Sequence, residues 1–586
     1  MSTPASSSGI PAGGAPGNDG SPDPGCVNRR WGLALLEGLR RAGLRTLVLS
    51  PGSRSTPVVI AAQRLPGIEL VPILDERSAA FFALGAARAS RRPVAVLATS
   101  GSAPAHWYPA VIEASAAGVP LVLLSADRPP RLRGWGASQT IDQTRLLGAF
   151  VREFHDPGTP LAGPAALKSI HALGLRAGRQ SLEPRPGPVH LNLPFDEPLV
   201  PAGDCPPPAA PDLAAPGAAG TGPSPAIGTV PLELPAGRGL ICCGPGQLGD
   251  DLAAALRDAA QALGLPLLAD PLSGLRFGPA PGPVVSRYDA LLRNAGAARA
   301  LRPDWVLHIG GTPVSKRLGQ WLEGVPRILV DAGGGWTDPT HDVVQRLCAD
   351  PASVCRALAR HGSRPPALGW QARWLAADGK AAALARQHLD TAPWCEGQLI
   401  RDLLGRIPAG EALLCANSMP IRQLDTWSGC RTAPLILHGN RGVSGIDGQL
   451  STLAGLSHGG PPCWALLGDL SLCHDLSGLL VAGRLRRPLV VIDNGGGRIF
   501  DYLPQRDLPG FEALWRAPVE IDIAALAAAA GLPHRHIDTE ADWTRALDEL
   551  SHAPVLLQVR IDGDLSRRMH EDYWRLVAAE PALAAP

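Results

Sequence analysis

The stretch from residue 464 to residue 503 constrains the fold of this chain more than any other. It holds two short apolar runs, each ending in small polar residues, with leucines at helical spacing between them. Strand, helix and strand in this order predict a βαβ unit, in which the two strands lie side by side and parallel. Asp469 follows the first run and Asn494 follows the second. Both side chains are therefore expected at the carboxyl edge of one sheet, where open α/β sheets bind ligands.

The chemistry of Asp469 and Asn494 suits a small hard cation. A carboxylate and an amide oxygen, joined by a loop carbonyl and by phosphate oxygens, are ligands that Mg²⁺ prefers. A helix beginning near Ser471 would point its amides at the same place and favour an anionic diphosphate. The glycines at 495–497 would let the backbone approach closely. An ordinary strand end followed by a turn is the alternative interpretation, because Asp and Gly are common in turns.

Length and composition bound the class of protein. A chain of 586 residues exceeds what one hydrophobic core supports, so about three domains of roughly 150 to 200 residues are expected. The formal net charge of +1 gives no reason to expect nucleic acid or an anionic membrane as a partner. No apolar run reaches the ~18–20 residues of a membrane span. Eleven cysteines without a repeated C-x-x-C favour reduced thiols in a cytoplasmic protein over a disulfide framework or a zinc site.

Three α/β segments separated by low-complexity stretches are predicted along the chain. In each, short apolar strands end in small or polar residues and lead into helices, which predicts three doubly wound parallel-sheet domains. The N-terminus lacks the basic start and apolar core of a secretory signal, and its composition is typical of a disordered tail. The predicted bounds are a tail at 1–26, a first α/β domain at 27–200, a linker at 201–235, a central α/β domain at 236–363, a linker and helix at 364–389, a third α/β domain at 390–575 and a tail at 576–586.

The central domain carries a partial dinucleotide fingerprint. Gly244, Gly246 and Gly249 follow a predicted strand with the spacing G-x-G-x-x-G. No acidic partner for a ribose is clearly placed after them, so we favour a nucleotide-type fold that no longer binds nucleotide. The arginines of this domain also leave open a regulatory site for an anionic metabolite. They are Arg287, Arg293 and Arg302.

Seven motifs, in order along the chain, give the sequence a specific resemblance. They are SPGSRSTP (50–57), DERSAAFFALG (75–85), ADRPP (126–130), SKR (315–317), NSMPIR (417–422), NRGVSGIDG (440–448) and the segment that runs from GDL (468–470) to DNGGGRIF (493–500). Together they resemble the 2-succinyl-5-enolpyruvyl-6-hydroxy-3-cyclohexene-1-carboxylate synthases, or MenD family, menaquinone-pathway members of the thiamine diphosphate enzyme superfamily. The resemblance runs from residue 28 to residue 570 and is least marked in the central domain.

The resemblance implies an enzyme that decarboxylates 2-oxoglutarate and adds the resulting succinyl-semialdehyde carbanion to isochorismate in a Stetter-like 1,4-addition. It implies thiamine diphosphate and Mg²⁺ or Mn²⁺ as cofactors. It also implies a homodimer or homotetramer, in which the first and third domains of different subunits meet at the active site. The alternative within the class is another thiamine diphosphate-dependent 2-oxoacid decarboxylase or an acetolactate-type synthase. The alternative from another class is a non-enzymatic nucleotide-binding protein.

The same resemblance assigns residues to the cofactor. Glu76 would push the aminopyrimidine toward its imino tautomer, a role that suits a buried and partly protonated carboxyl. Capping of a helix start is the alternative role for Glu76. Ile446 would support the bent cofactor, while Asp469, Asn494 and the carbonyl of Gly496 would hold the metal. Further cofactor contacts are implied for Ser418, Met419, Gly468, Leu470 and Ile499.

Substrate contacts are implied at a second set of positions. Both substrates carry two carboxylates, and bidentate arginines are natural clamps for carboxylates. A solvated surface role is the alternative for any single arginine. No histidine is well placed as a general base, and we expect His106 and His474 to be structural. The implied substrate set is Ser53, Arg54, Arg128, Gln139, Lys316, Arg317, Ser418, Arg422, Arg441, Phe500 and Leu503, of which Gln139, Arg422 and Arg441 are also assigned catalytic roles. Ser138 stands where the pattern has Asn before Gln139.

Overall fold

The chain builds three six-stranded sheets in which every strand pair is parallel. A computed structural model describes residues 23–203, 205, 234–246, 249–278, 282–361 and 369–583. Helices flank each sheet, and the predicted fold class of three doubly wound parallel sheets is confirmed. Within the described ranges, no helix is long and apolar enough to cross a membrane.

The first sheet is built from the N-terminal part of the chain. Its strands are β1 (Thr46–Leu49), β2 (Glu69–Pro72), β3 (Val94–Ala98), β4 (Leu121–Asp127), β5 (Glu153–His155) and β6 (Val189–Pro194), and its helices are α1 (Pro24–Arg41), α2 (Thr56–Gln63), α3 (Glu76–Ser90), α4 (Tyr108–Ala117) and α5 (Pro164–Gln180). The spatial order is β2-β1-β3-β4-β6-β5. β3 and β4 are buried along their whole length because helices cover both faces of the sheet.

The second sheet has the strand order of a dinucleotide-binding fold. Its strands are β7 (Gly239–Cys243), β8 (Leu267–Ala269), β9 (Val284–Val285), β10 (Trp305–Ile309), β11 (Arg327–Val330) and β12 (Val343–Leu347), and its helices are α6 (Asp250–Ala262), α7 (Tyr288–Leu291), α8 (Ala295–Ala300), α9 (Lys316–Leu322) and α10 (Pro351–His361). The order β12-β11-β10-β7-β8-β9 is the 3-2-1-4-5-6 order of that fold. A long helix, α11 (Trp370–Asp390), leads on toward the third sheet.

Packing explains the glycine fingerprint of the second sheet. A Cβ atom on Gly244 would lie 1.7 Å from the carbonyl oxygen of Gly311, so the turn after β7 needs a glycine to pack against the turn after β10. This contact supports the interpretation that the fingerprint is structural. Residues 247 and 248 of the turn lie outside the described ranges.

The third sheet repeats the topology of the first. Its strands are β13 (Ala412–Cys415), β14 (Ile436–His438), β15 (Cys463–Gly468), β16 (Leu489–Asp493), β17 (His534–Ile537) and β18 (Leu556–Arg560), and its helices are α12 (Glu396–Arg406), α13 (Met419–Trp427), α14 (Gln449–Gly459), α15 (Asp469–Cys473), α16 (Ile523–Ala529), α17 (Glu540–Leu550) and α18 (Gly563–Ala579). The order β14-β13-β15-β16-β18-β17 has the same connections as the first sheet.

Short helical turns complete the chain between these elements. The 3₁₀ turns are Ala103–Trp107, Pro130–Leu132, Gly148–Phe150, Pro271–Ser273, Leu476–Arg484, Arg498–Tyr502, Pro504–Asp507 and Pro581–Leu583, and a π turn covers Glu512–Arg516.

The first and third sheets are joined by direct packing of α3 against α14. Glycines permit a close approach of the two backbones: a Cβ on Gly85 would lie 2.2 Å from the carbonyl oxygen of Thr452, and a Cβ on Gly455 would lie 2.0 Å from that of Phe82. Apolar residues of both sheets form one continuous buried cluster around this contact. The two sheets are therefore held in one fixed relation within the chain.

Three local expectations are corrected by the structure. The single helix predicted after Asp469 is two pieces, the five-residue α15 and the 3₁₀ turn Leu476–Arg484, and it begins at Asp469 rather than near Ser471. Residues 576–579, expected in a C-terminal tail, form the last turn of α18. Helix α1 begins at Pro24, inside the stretch expected to be an N-terminal tail, because Asp23 caps its first amides. Most of the expected linker at 201–235 lies outside the described residues.

The expectation that all cysteines are reduced is also wrong at one pair. Cys26 and Cys205 form a disulfide across 179 positions of sequence. The start of α1 brings them together because Asn28 donates hydrogen bonds to the carbonyls of Asp196 (2.8 Å) and Pro198 (3.2 Å). The nine other cysteines are free, and most of them are buried.

Burial of His190 predicts a loss of stability in acid. Burial lowers the pKa of His190 from an ordinary value of 6.5 to about 3. Below pH 6.5 the histidine binds a proton in the unfolded chain but stays neutral in the folded chain. The contribution of His190 to the free energy of unfolding is therefore present above pH 6.5 and is lost as the pH falls toward 3. We expect about 2 kcal/mol of this loss between pH 7 and pH 5. The variant His190→Gln should show a smaller drop in melting temperature over that interval than the parent, whereas replacing the exposed His106 should leave the drop unchanged.

Candidate active site

The carboxyl ends of β15 and β16 open into a cavity. The two strands pair in parallel, with Gly468 beside Ile492, so Asp469 and Asn494 follow at the same edge, as predicted. The cavity has a volume of about 260 Å³. It is lined by Glu396, Ser418, Met419, Pro420, Arg422, Arg441, Ser444, Ile446, Gly468, Asp469, Leu470, Ser471, Ile492, Asn494, Gly496, Gly497, Arg498, Ile499 and Phe500.

The Asp469 carboxylate holds the two strand ends together. One oxygen accepts the amide N–H of Leu470 (2.7 Å) and the other accepts that of Gly496 (2.8 Å). Burial raises the pKa of Asp469, and these amide hydrogen bonds oppose the rise. The amide of Leu470 is donated to this carboxylate, and α15 has only five residues, so the helix that was expected to favour a diphosphate is shorter than predicted. The role of its other first amides stays a prediction.

The Asn494 side chain is oriented by a buried glutamate that the sequence did not single out. The Asn494 amide nitrogen donates to Glu396 Oε1 at 2.7 Å, and its amide oxygen accepts no hydrogen bond from any described residue. Burial raises the pKa of Glu396 to about 7, against the lowering effect of hydrogen bonds from Asn494 and Gln423. Glu396 begins α12, where its sequence position resembles that of an ordinary acidic residue in a first helical turn.

The glycine loop after β16, residues 495–497, is held in place by hydrogen bonds and ion pairs of charged side chains, which we call the brace. Arg498 donates from Nε to the carbonyl of Asn494 (2.7 Å) and also bonds Asp501, which is buried and pairs with Arg516 at 2.8 Å. The carbonyl of Gly496 accepts the amide of Arg498 (2.8 Å), and its second lone pair remains for a ligand. The brace fixes the backbone that presents this carbonyl.

Two arginines form a basic wall of the cavity. Arg422 donates to the carbonyl of Ser418 (2.6 Å), and Arg441 donates to Asn417 Oδ1 (2.8 Å). Burial lowers the pKa of Arg422, and the positive charge of Arg441 lowers it further. Both side chains line the same cavity. Such a pair favours an anion between them.

Some of the strained backbone lies at the cavity and at a predicted substrate residue. Of the seven non-glycine residues with positive φ in the described ranges, Ser418 (φ 68°) and Ser444 (φ 64°) line the cavity, and Gln139 (φ 54°) belongs to the predicted substrate set. Such conformations are rare outside glycine and persist where surrounding structure enforces them.

A second group of predicted residues gathers at the carboxyl edge of the first sheet. Arg128 donates to Ser100 Oγ and to the carbonyl of Gln139 (2.9 Å), and Gln139 donates to the carbonyl of Ser100 (3.1 Å). Burial lowers the pKa of Arg128, with a further lowering by the positive charge of Arg54. Ser53 lies exposed beside them. This cluster does not line the cavity of its own chain.

Glu76 is the first residue of α3 and is half-buried. Asp75, not Glu76, caps the helix, because its carboxylate accepts the amides of Arg77 (2.8 Å) and Ser78 (3.2 Å). The Glu76 side chain makes no hydrogen bond or ion pair with any residue that the structure describes. Capping therefore does not explain Glu76, which also lies outside the cavity of its own chain.

Three other residues of the predicted substrate set do not line the cavity. Lys316 and Arg317 are exposed in the first turn of α9, and Leu503 is half-buried beyond Phe500. His106 and His474 are both exposed.

The three arginines considered for a regulatory site are engaged within the described part of the chain. Arg287 donates to the carbonyl of Thr426, Arg293 pairs with Asp289 (3.1 Å), and Arg302 donates to the carbonyl of Glu323 (2.8 Å).

Comparison with known proteins identifies the family. Residues 29–146 match the family described as thiamine pyrophosphate enzyme, N-terminal TPP binding domain, and residues 232–415 match the middle domain of thiamine pyrophosphate. The chain is 41% identical to the 2-succinyl-5-enolpyruvyl-6-hydroxy-3-cyclohexene-1-carboxylate synthase of Chloroflexus aurantiacus, over 94% of this chain and 96% of the relative. The chain belongs to this synthase family. The synthase of Geobacillus kaustophilus is 40% identical over 94% of this chain and 98% of its own. The synthase of Dechloromonas aromatica is 39% identical over 92% of this chain and 99% of its own.

Membership in the synthase family makes the chain a thiamine diphosphate-dependent transferase, and the resemblance drawn from the seven motifs is confirmed. The cavity fits such a cofactor on its own chemistry. A carboxylate, a loop carbonyl and an amide oxygen that accepts from no described residue form an all-oxygen donor set, which is what a hard divalent cation takes. Beside this set, Ile446, Ile499 and Met419 offer apolar surface for an organic ring.

The glycine loop predicts a position that tolerates no side chain. Gly496 has φ 106°, and a Cβ there would lie 2.4 Å from the carbonyl oxygen of Arg516. We expect Gly496→Ala to cost about 1–3 kcal/mol of stability through strain and displacement of the brace, measured as a lower melting temperature of the purified enzyme. Gly483→Ala is the control, because a Cβ at Gly483 meets no atom of the described ranges within 4 Å. Equal melting temperatures for both variants would contradict this account of the loop.

Proposed function

We propose that this synthase decarboxylates 2-oxoglutarate and adds the remaining four-carbon unit to isochorismate, giving 2-succinyl-5-enolpyruvyl-6-hydroxy-3-cyclohexene-1-carboxylate for menaquinone biosynthesis. The observation that carries the proposal is the arginine pair of the cavity. Arg422 and Arg441 line the same cavity as Asp469 and Asn494, so a site for a metal-bound diphosphate would adjoin a site for carboxylates. A pyruvate-specific enzyme has one carboxylate to bind, whereas each of these two substrates has two. The relatives' printed name, which states the same product, supports the assignment.

The cofactor would be held by residues of the third sheet. Asp469, Asn494 and the carbonyl of Gly496 would bind Mg²⁺ or Mn²⁺, and the metal would bind the diphosphate. Thiamine diphosphate, when bound, supplies the carbanion at its thiazolium ring and the electron sink for decarboxylation. Gly468 and Leu470 would approach the diphosphate, and Met419, Ile446 and Ile499 would pack on the rings. Glu396 would keep the amide oxygen of Asn494 turned toward the metal by accepting from its nitrogen.

The chain's own side chains would then bind and orient the substrates. Arg422 and Arg441 would each form charge-assisted hydrogen bonds to a substrate carboxylate, and Ser418 would add a neutral one. Phe500 lines the cavity and would exclude water from the reacting carbon. The assignment of Leu503, Lys316 and Arg317 to substrate contact remains a prediction from the motifs.

The remaining predicted residues would reach the site from a second copy of the chain. Glu76, Arg54, Arg128 and Gln139 lie outside the cavity of their own chain. We infer a homodimer, or a tetramer of such dimers, in which Glu76 of one subunit holds the aminopyrimidine proton at the cavity of the other. The nine free cysteines favour a cytoplasmic location for this enzyme, against which the Cys26–Cys205 disulfide counts. The net charge of +1 gives no reason to propose nucleic acid as a partner.

Substrate trials test the reaction. The enzyme with thiamine diphosphate and Mg²⁺ should release carbon dioxide from 2-oxoglutarate and form the adduct only when isochorismate is present. Arg441→Ala should lower kcat/KM at least 10-fold, the loss expected for a charge-assisted hydrogen bond to a carboxylate. Turnover of pyruvate in preference to 2-oxoglutarate would favour an acetolactate-type synthase. Failure of thiamine diphosphate to bind with any divalent metal would favour a non-enzymatic nucleotide-binding protein.

Mixed dimers test the shared site. Glu76→Gln and Asp469→Asn should each abolish turnover, because one removes the acid at the pyrimidine and the other removes a metal ligand. When the two inactive variants are denatured and refolded together, half of the dimers should be mixed, and each mixed dimer should contain one intact site. Activity should therefore return to about one quarter of the parent level if the two groups come from different subunits. No recovery, with mixed dimers demonstrated by differential tags, would place both groups on one subunit.

A further inference from the structure

The loop at 439–448 carries the residues that complete the cavity. It connects β14 to α14 and brings Arg441, Ser444 and Ile446 to the cavity wall. The loop itself contains no strand or helix, since α14 begins only at the next residue. Val443 and Ser444 are exposed. Its conformation must therefore be set by contacts with other parts of the chain.

Two buried charged residues of the first sheet grip this loop. Glu113 on α4 is 2% exposed and Arg88 on α3 is 8% exposed. They form an ion pair at 3.2 Å. Glu113 also accepts two consecutive loop amides, that of Gly442 on Oε1 (2.9 Å) and that of Val443 on Oε2 (2.8 Å). Both carboxylate oxygens are thus directed at the backbone beside Arg441.

Arg88 completes the grip on the preceding residues of the loop. Its Nη1 donates to the carbonyl of Gly439 and to the side-chain oxygen of Asn440, both at 2.9 Å. Gly442 fits the clamp only as a glycine, because a Cβ there would lie 2.7 Å from the carbonyl oxygen of Glu113. The first sheet therefore contacts the loop on either side of Arg441.

The third sheet holds the same loop from the other side. Asn417 donates from Nδ2 to the carbonyls of Asn440 (2.6 Å) and Gly445 (2.7 Å), and its oxygen accepts from Arg441 Nη1 (2.8 Å). Backbone groups at 439, 440, 442, 443 and 445 are thus all fixed, and Arg441 projects between them into the cavity. Rotation of the loop would move its guanidinium away from Arg422.

Energetics favour a positioning role for the pair over a stabilising one. Taking two charges out of water costs several kcal/mol per ion, so a buried ion pair is often no more stabilising than apolar side chains of the same size. An apolar pair, however, accepts no backbone amides. The two charged side chains make four hydrogen bonds to the loop, and these bonds set its orientation.

We propose that Arg88 and Glu113 are positioning residues that set the orientation of Arg441 toward the substrate carboxylate. The link to catalysis rests on the proposed function, whereas the grip on the loop does not. The first sheet therefore supports two cavities: its Arg88 and Glu113 shape the one in its own chain, while its Glu76 serves the one proposed in the other subunit.

A double variant that removes both charges tests the role of the ion pair in catalysis. The double variant Arg88→Met, Glu113→Leu replaces the ion pair by apolar side chains of similar size. We expect its melting temperature to lie within a few degrees of the parent and its kcat/KM to fall at least 10-fold. The same change made in an Arg441→Ala background should cause little further loss, since the clamp acts through Arg441. The proposal would be overturned if the double change lowered kcat/KM by the same factor in the parent and in Arg441→Ala. It would also be overturned if the double variant kept the kcat/KM of the parent.

A second measurement tests the grip without using activity. Hydrogen exchange of peptides covering 439–448 should be faster in Glu113→Gln than in the parent, because Gly442 and Val443 lose the carboxylate that protects their amides. Exchange that is unchanged in this loop would refute the clamp even if the double variant failed to fold. The control is Asp390→Asn with Arg401→Gln, which removes an exposed ion pair (2.6 Å) far along the sequence and should change neither exchange nor kcat/KM. An inactive parent enzyme with the expected exchange pattern would refute the proposed function alone.

Discussion

One carboxylate, that of Asp469, joins the ends of two neighbouring parallel strands. It accepts the amide after β15 and the amide of Gly496 in the loop after β16. The bonds are possible because parallel pairing sets Gly468 beside Ile492, which brings the two chain ends to one edge. The loop that these bonds fix also carries Asn494 and the braced carbonyl of Gly496. The donor set of the cavity is thus a consequence of strand register rather than of a dedicated binding loop.

Each of the other two sheets contributes one buried arginine to the framework around that cavity. From the first sheet, Arg88 holds the loop that carries Arg441. From the second sheet, Arg276 donates to the carboxylate of Asp425 at 2.5 Å and to its carbonyl at 2.9 Å, and Asp425 lies on α13, the helix that carries Arg422. Both arginines of the cavity wall are therefore supported by charges from outside their own sheet. The wall of this cavity is therefore fixed by contacts from all three cores.

The sequence predicted what depends on local pattern and could not predict what depends on distant packing. Asp469, Asn494 and the parallel sheets followed from apolar runs and their spacing, because strand ends and crossover direction are governed by neighbouring residues. Glu396 was missed because its contact with Asn494 spans 98 positions, and its place in a first helical turn has an ordinary explanation. Glu113 was missed for the same reason.

Other differences also have a physical origin. The helix expected after Asp469 breaks because Asp475 turns its buried carboxylate to the amide and hydroxyl of Ser451 at the start of α14, which ends the helical path after Cys473. The disulfide could not be foreseen from cysteine spacing, since it depends on how the chain after β6 returns to the start of α1.

The contact between α3 and α14 is reciprocal. Each helix joins the second and third strands of its own sheet, and the two sheets share one topology. Gly85 meets Thr452 and Leu456, while Gly455 meets Phe82 and Ala86, so the same offsets occur in both directions. A pseudo-twofold axis thus passes between the helices, and the chain carries within itself an isologous interface of the kind that usually joins two identical subunits.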